Sequence, residues 1–142
     1  MKINLKKEDE NAVIPAYSRD GDAGMDLVAV SKTIVNEKDH GYIEYDTGIA
    51  IELPENYVCF VFPRGSVSHT GLILANAVGV VDSNYRGTIK CRFKYIPETR
   101  EYSVGERVAQ IIILPYPTIE FNEVNELSET NRQDKAFGSS GK

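Results

Sequence analysis

Apolar residues recur along this chain in short bursts of two kinds. In Tyr57-Val58-Cys59-Phe60-Val61-Phe62 and Val108-Ala109-Gln110-Ile111-Ile112-Ile113-Leu114 they are nearly continuous, as in strands buried on both faces. In Thr88-Ile89-Lys90-Cys91-Arg92-Phe93-Lys94-Tyr95 they alternate with polar residues, the period-two signature of a strand with one wet face. Further strands are predicted over residues 3–5, 27–30, 33–35, 42–53, 72–76 and 119–124, punctuated by Gly, Pro, Asn and Asp. No segment sustains the 3.6-residue periodicity of an amphipathic helix. One helical turn is predicted after Ser66, whose hydroxyl is placed to cap it, through Thr70 to a stop at Gly71. Many short strands at fairly regular spacing predict an all-β sandwich or jelly roll.

Past Val124 the texture changes. Residues 125–142 are polar, with Leu127 and Phe137 as the large apolar exceptions. This predicts a β domain over 1–124 and an arm over 125–142, which extends up to roughly 60 Å at ~3.3 Å per residue. Such an arm is long enough to close over a site on a neighbouring subunit.

At 142 residues the chain is one domain's worth, enough for a core but short for a deep cleft built unaided. A site shared between subunits follows as an expectation. The formal charge of −5 argues against duplex binding, which depends on clustered Lys and Arg, so no nucleic-acid partner is expected. A small phosphorylated ligand held by a few arginines is compatible with it. No apolar run approaches the ~20 residues that span a bilayer, so no membrane partner and a cytoplasmic location are expected. Cys59 and Cys91 lack a CxxC partner and read as reduced core residues. With only His40 and His69, neither near a cysteine, a protein zinc site is not expected, and any metal is a hard cation arriving with its ligand.

The densest candidate chemistry is Gly71-Leu72-Ile73-Leu74-Ala75-Asn76-Ala77-Val78-Gly79-Val80-Val81-Asp82-Ser83-Asn84-Tyr85-Arg86-Gly87. Its apolar flanks can desolvate Asp82 and raise its basicity, making it a general base; alternatively the segment is a hairpin whose polar tip Asp82 merely opens. Tyr85 serves a ligand or cross-strand packing. Gln110, the polar residue inside an apolar strand, needs partners that either a core hydrogen bond or a phosphate supplies.

Five segments, in order, resemble the signature motifs of the homotrimeric dUTPase family: Asp22-Ala23-Gly24-Met25-Asp26-Leu27, Pro63-Arg64-Gly65-Ser66, Gly79 through Gly87, Val104-Gly105-Glu106-Arg107-Val108-Ala109-Gln110, and Arg132 through Phe137-Gly138-Ser139-Ser140-Gly141. The resemblance implies a jelly-roll homotrimer with intersubunit sites that hydrolyses dUTP to dUMP and pyrophosphate with Mg²⁺. It implies that Asp82 deprotonates the water attacking the α-phosphorus and that Tyr85 packs under the deoxyribose, excluding a 2′-hydroxyl. It makes Asn76, with the backbone around Val80, Val81 and Lys90, the reader of uracil. Arg64, with Ser66 or the Gly65 amide, and Gln110 then hold the phosphates, and Asp26 touches the metal's hydration shell. In the arm, Phe137 stacks on uracil, Arg132 meets the γ-phosphate, and Gly138 and Ser139 cradle oxygens.

The sequence departs from that pattern in three places. The second motif reads Arg-Gly-Ser where Arg-Ser-Ser or Arg-Ser-Gly is common, leaving open whether Gly65 or Ser66 is the donor. Lys90 replaces a small or apolar residue, which a backbone contact tolerates. Gln133, Asp134, Lys135 and Ala136 replace glycines between Arg132 and Phe137. Two alternative functions are a dCTP deaminase, which needs a glutamate near C4 that the strand after Gly87 lacks, and a nucleotide-gated interaction protein.

Overall fold

The computed structural model describes residues 1–37, 40–131 and 133–134. Its strands run β1 (Asn4–Lys7), β2 (Met25–Val28), β3 (Ser31–Glu37), β4 (His40–Asp46), β5 (Ile49–Glu52), β6 (Tyr57–Pro63), β7 (Leu72–Leu74), β8 (Gly79–Val81), β9 (Lys90–Tyr95) and β10 (Arg107–Pro115). They form two four-stranded sheets, β2-β10-β6-β8 and β3-β4-β9-β7, and a β1-β5 pair. All pairings are antiparallel. The all-β, jelly-roll-like class expected from the strand spacing is the class observed.

Sequence patterning explains the layers. Along β9 burial alternates strictly, with Cys91 and Phe93 inward and Lys90, Arg92 and Lys94 outward. Leu27, Ile43, Tyr45, Cys59, Phe93, Val108 and Ile111 meet in one core. Within it, Tyr45, Phe93 and Tyr102 stand edge-to-face in a triad with ring centroids 5.8 to 6.2 Å apart. Such pairs contribute about 0.5–1.5 kcal/mol each beyond area burial. The Tyr45 hydroxyl donates to the Tyr102 carbonyl at 2.8 Å. Burial, with Glu101 nearby, pushes the Tyr45 phenol up to about 12. Cys59 and Cys91 are buried, free thiols, as expected, and burial pushes both up to about 12.

Four local expectations are corrected. The strand expected over 42–53 is broken at Thr47 and Gly48, where Gly48 takes φ +63 and the Asp46 carboxylate accepts its N–H at 2.9 Å. Residues 79–81 are a strand, too short for periodicity to reveal. The segment 119–124 is not one: its alternating Ile119 and Phe121 are 67% and 93% exposed, and it pairs with no strand of the described chain. Finally, the 3-10 turn spans Gly65–His69 with Arg64 at its N-cap and no side-chain cap, so Ser66 lies inside it.

The hairpin offered as one alternative for the third motif is not formed; two crossovers take its place. β7 belongs to one sheet and β8 to the other, so residues 75–78 pass between layers, helped by Ala77 at φ +60. The chain returns through 82–89 to β9. Among the described residues no helix is long and apolar enough to cross a membrane.

Candidate active site

The motif residues line two cavities of the sandwich that share no residue. The first, of about 310 Å³, lies where the two crossovers diverge, and Asn76, Val80, Val81, Asp82, Tyr85 and Lys90 all line it. β8 positions this group: Val80 pairs with Phe60 and Val81 with Cys59, so Asp82 leaves the sheet edge at a fixed point. The turn after it is closed by Tyr85 N–H donating to the Asp82 carbonyl at 3.1 Å. Arg86 Nη1 donates to the Ser83 and Tyr85 carbonyls at 2.7 and 2.9 Å, clamping the same turn. Tyr85 is not on a strand; its hydroxyl donates to the Thr88 carbonyl at 3.0 Å and the residue is 45% exposed. Gly87 leaves room for that hydroxyl, since a Cβ there runs into it. Asp82 is exposed, so the desolvation expected from its apolar flanks is not supplied by its own chain.

The back wall of this cavity is ionic. Glu44 on β4 accepts from Arg92 Nε at 2.7 Å and from Lys90 Nζ at 3.3 Å. Its partial burial works against ionisation, yet the hydrogen bonds and charges of Arg92 and Lys90 hold its carboxyl below the usual range. Lys90 also approaches Asp46 at 3.5 Å, so its side chain turns toward carboxylates.

The second cavity, of about 620 Å³, gathers the first, second and fourth motifs: Asp22, Gly24, Asp26, Arg64, Gly65, Ser66, Arg107 and Gln110, with Arg19 beside them. Register explains the meeting, because Gln110 of β10 faces Asp26 of β2 on one side and Phe62 of β6 on the other. Asp26 is the hub. Its Oδ1 accepts from Arg64 Nε at 2.6 Å, and its Oδ2 from Arg64 Nη2 at 3.3 Å and Arg107 Nη1 at 3.2 Å. This fork fixes the Arg64 plane in the geometry that presents N–H groups to an oxyanion. Gln110 Nε2 donates to the Pro63 carbonyl at 3.0 Å while the side chain lines the cavity, so the core bond and the ligand-facing place coexist. Three arginines against two aspartates leave the cavity net positive by formal charge, suited to a polyanion.

Asp82, Asn76, Val80, Val81, Tyr85 and Lys90 are thus brought together, as are Arg64, Gly65, Ser66, Gln110 and Asp26, but the two groups stand apart. Arg132, Phe137, Gly138 and Ser139 lie outside the described residues. Sequence reasoning missed Arg107 as a site residue, although it quoted the motif containing it; a register shift between Arg107 and Ala109 aims it at Asp26. It also missed Glu44, which reaches the first cavity from a strand far away in the chain. Among the described residues no group of three or more His, Cys, Asp or Glu is placed to cage a metal. Asp22 and Asp26 at the arginine-lined wall fit a hydrated hard cation held mainly by a ligand's own oxygens.

Comparison with known proteins points to one family. The dUTPase family model matches residues 10–141. A deoxyuridine 5'-triphosphate nucleotidohydrolase of Hydrogenobaculum sp. is 39% identical over 99% of each chain. The dUTPase of Staphylococcus bacteriophage 80alpha, solved with dUPNHPP, superposes with a TM-score of 0.77 at 26% identity, covering 99% of this chain and 98% of that one. A dUTPase from phage phi11 of S. aureus, whose structure describes coordination of a structural Mg(II) ion, shares the fold at a TM-score of 0.71 and 22% identity, over 89% and 98% of the two chains. A family match over residues 10–141, together with a curated relative 39% identical over nearly the whole of both chains, shows that the chain belongs to the dUTPase family.

Proposed function

We propose that this protein hydrolyses dUTP to dUMP and pyrophosphate, keeping uracil out of DNA and supplying dUMP, at sites completed between copies of the chain. The observation that carries the reading is the division of the motif residues between two separate cavities, Asn76, Asp82 and Tyr85 lining one and Arg64, Arg107 and Gln110 the other, which we read as a base-and-sugar half and an anion half. Neither half handles a nucleoside triphosphate alone, and a homotrimer supplies each half from a different copy. Two further features support assembly. Residues 116–127 leave Ile119, Phe121 and Leu127 exposed, and an apolar groove lined by Ile3, Leu5, Ile14, Met25, Ile111 and Ile113 stands open.

In this reading uracil enters the first cavity, where Asn76 and the backbone of Val80, Val81 and Lys90 match its donor and acceptor edge. A cytosine leaves mispaired groups there, at ~1–3 kcal/mol each. Tyr85 lies against the deoxyribose. Asp82 accepts the proton of the water that attacks the α-phosphorus, and its exposed carboxylate is covered only when a second copy and the 125–142 arm close over it. Arg64, Ser66 and Gln110 take the phosphate oxygens, while Asp26 keeps Arg64 in place and meets a magnesium ion through water. Bound Mg²⁺ neutralises charge on the triphosphate. Arg132, Phe137, Gly138 and Ser139 complete the closed site from the arm.

Glu44 at the base-side cavity removes the sequence-based ground against deamination, which rested on the absence of a glutamate near the base. Held ionised by Arg92 and Lys90, it is poorly suited to a proton shuttle that must be neutral for part of the cycle. Incubating the protein with dUTP and with dCTP in magnesium tests the reading. Pyrophosphate from dUTP and no ammonia from dCTP is expected, and Asp82→Asn is expected to lower kcat by about 10²–10⁴-fold while dUpNHpp still binds. Ammonia release from dCTP, or intact dUTP after prolonged incubation, contradicts it.

A further inference from the structure

We propose that Tyr102 is a positioning residue that makes the Ser66 hydroxyl a dedicated hydrogen-bond donor facing the arginine-lined cavity. The inference rests on reading that cavity as the triphosphate subsite.

Tyr102 sits on the connection between β9 and β10, only 2% exposed. Tyr45 and Phe93 hold its ring edge-on at 6.2 Å each, and Tyr45 pins its carbonyl. Its phenol oxygen is therefore the tip of a rigid core lever, and that tip lies 3.0 Å from Ser66 Oγ. The direction of the bond follows from what each oxygen has left to satisfy. Among the described residues Ser66 Oγ is the partner available to the Tyr102 hydroxyl, and a buried phenol proton needs an acceptor, so Tyr102 donates. Arg64 Nη1 donates to the same serine oxygen at 3.2 Å.

A serine oxygen has two lone pairs and one proton. Tyr102 and Arg64 occupy both lone pairs, and the Ser66 proton is left over. Ser66 is half-buried on the cavity wall beside Arg64, Arg107 and Gln110, so that proton is free to meet an anion's oxygen. A chain from phenol to serine to anion also polarises each link, strengthening the last one. This resolves the Arg-Gly-Ser order of the second motif. At position 65 the space a Cβ would occupy is open, with nothing within 4 Å to orient a side chain, whereas position 66 lies within reach of the tyrosine that fixes its hydroxyl.

The test compares Tyr102→Phe, Ser66→Ala, the double variant and Arg64→Ala, measuring the dissociation constant of dUpNHpp and the melting temperature. Tyr102→Phe keeps the ring and removes the donor. It is expected to weaken dUpNHpp binding roughly three- to tenfold while melting within about 4 °C of the parent. Ser66→Ala is expected to weaken binding at least as much, and the double variant no further, because the tyrosine acts through the serine. Unchanged binding in Tyr102→Phe, or losses that multiply in the double variant, overturns the proposal. So does a loss in Tyr102→Phe that accompanies a large fall in melting temperature while Ser66→Ala binds normally. If Arg64→Ala also binds normally, the subsite reading itself fails; if Arg64→Ala loses binding and Tyr102→Phe does not, only the role of Tyr102 falls.

Discussion

Asp26, Arg64, Ser66 and Glu44 show how partners, rather than residue types, set what a side chain can do. The residue types were legible: a carboxylate in the first motif, a guanidinium after Pro63, a lone glutamine in an apolar strand. Their partners were not, because Tyr102 and Arg107 reach the site through packing and a register shift that leave no periodic trace in the sequence. Asp26 is a case in point, since its short spacing from Gly24 says nothing of the two arginines that share its carboxylate. Glu44 gives a titration test at this scale. Its folded pKa lies below its ordinary value of 4.5, so the stability it contributes is present above 4.5 and is lost as pH falls through the lower, folded value. Glu44→Gln is accordingly expected to melt below the parent near neutral pH, with the gap closing as the solution is acidified past 4.5. A gap that widens in acid contradicts the ionised assignment.

Strand existence was legible wherever the pattern ran long enough, as in β6, β9 and β10; β9 alternates as expected, but β6 and β10, expected to be buried on both faces, leave Phe60 and Phe62, and Gln110, Ile112 and Leu114, half-buried or exposed. Shorter or conditional elements were not legible. β8 spans only Gly79–Val81, and its strand state is imposed by pairing with β6 rather than by its own sequence. The alternation over 119–124 is a strand signal that finds no partner among the described strands, so sequence and structure diverge there. Close packing between elements is also where glycine matters. A Cβ on Gly24, just before β2, lies 2.6 Å from Gln110 Oε1 on β10. Gly24→Ala is therefore expected to push the Gln110 amide off the Pro63 carbonyl, weakening dUpNHpp binding about three- to tenfold and lowering the melting temperature by a few degrees. Wild-type binding in that variant, measured by calorimetry, counts against Gln110 as a ligand-facing group.

For the molecule as a whole, the fold places the third motif at one cavity and the first, second and fourth motifs at another that shares no residue with it. The motifs themselves were readable from the sequence, but their separation on one chain was not, because it arises from β7 and β8 lying in opposite sheets. The proposed function divides catalysis between copies of the chain, and subunit mixing tests that proposal directly. Asp82→Asn and Arg64→Ala chains, each nearly inactive alone, are unfolded together, refolded as a mixture and assayed for pyrophosphate release from dUTP. Random assembly of equal amounts unites an intact Asp82 with an intact Arg64 at about a quarter of the sites, so recovery to roughly that fraction of wild-type activity is the expected result. A mixture that assembles normally yet stays as inactive as its components contradicts a site divided between subunits.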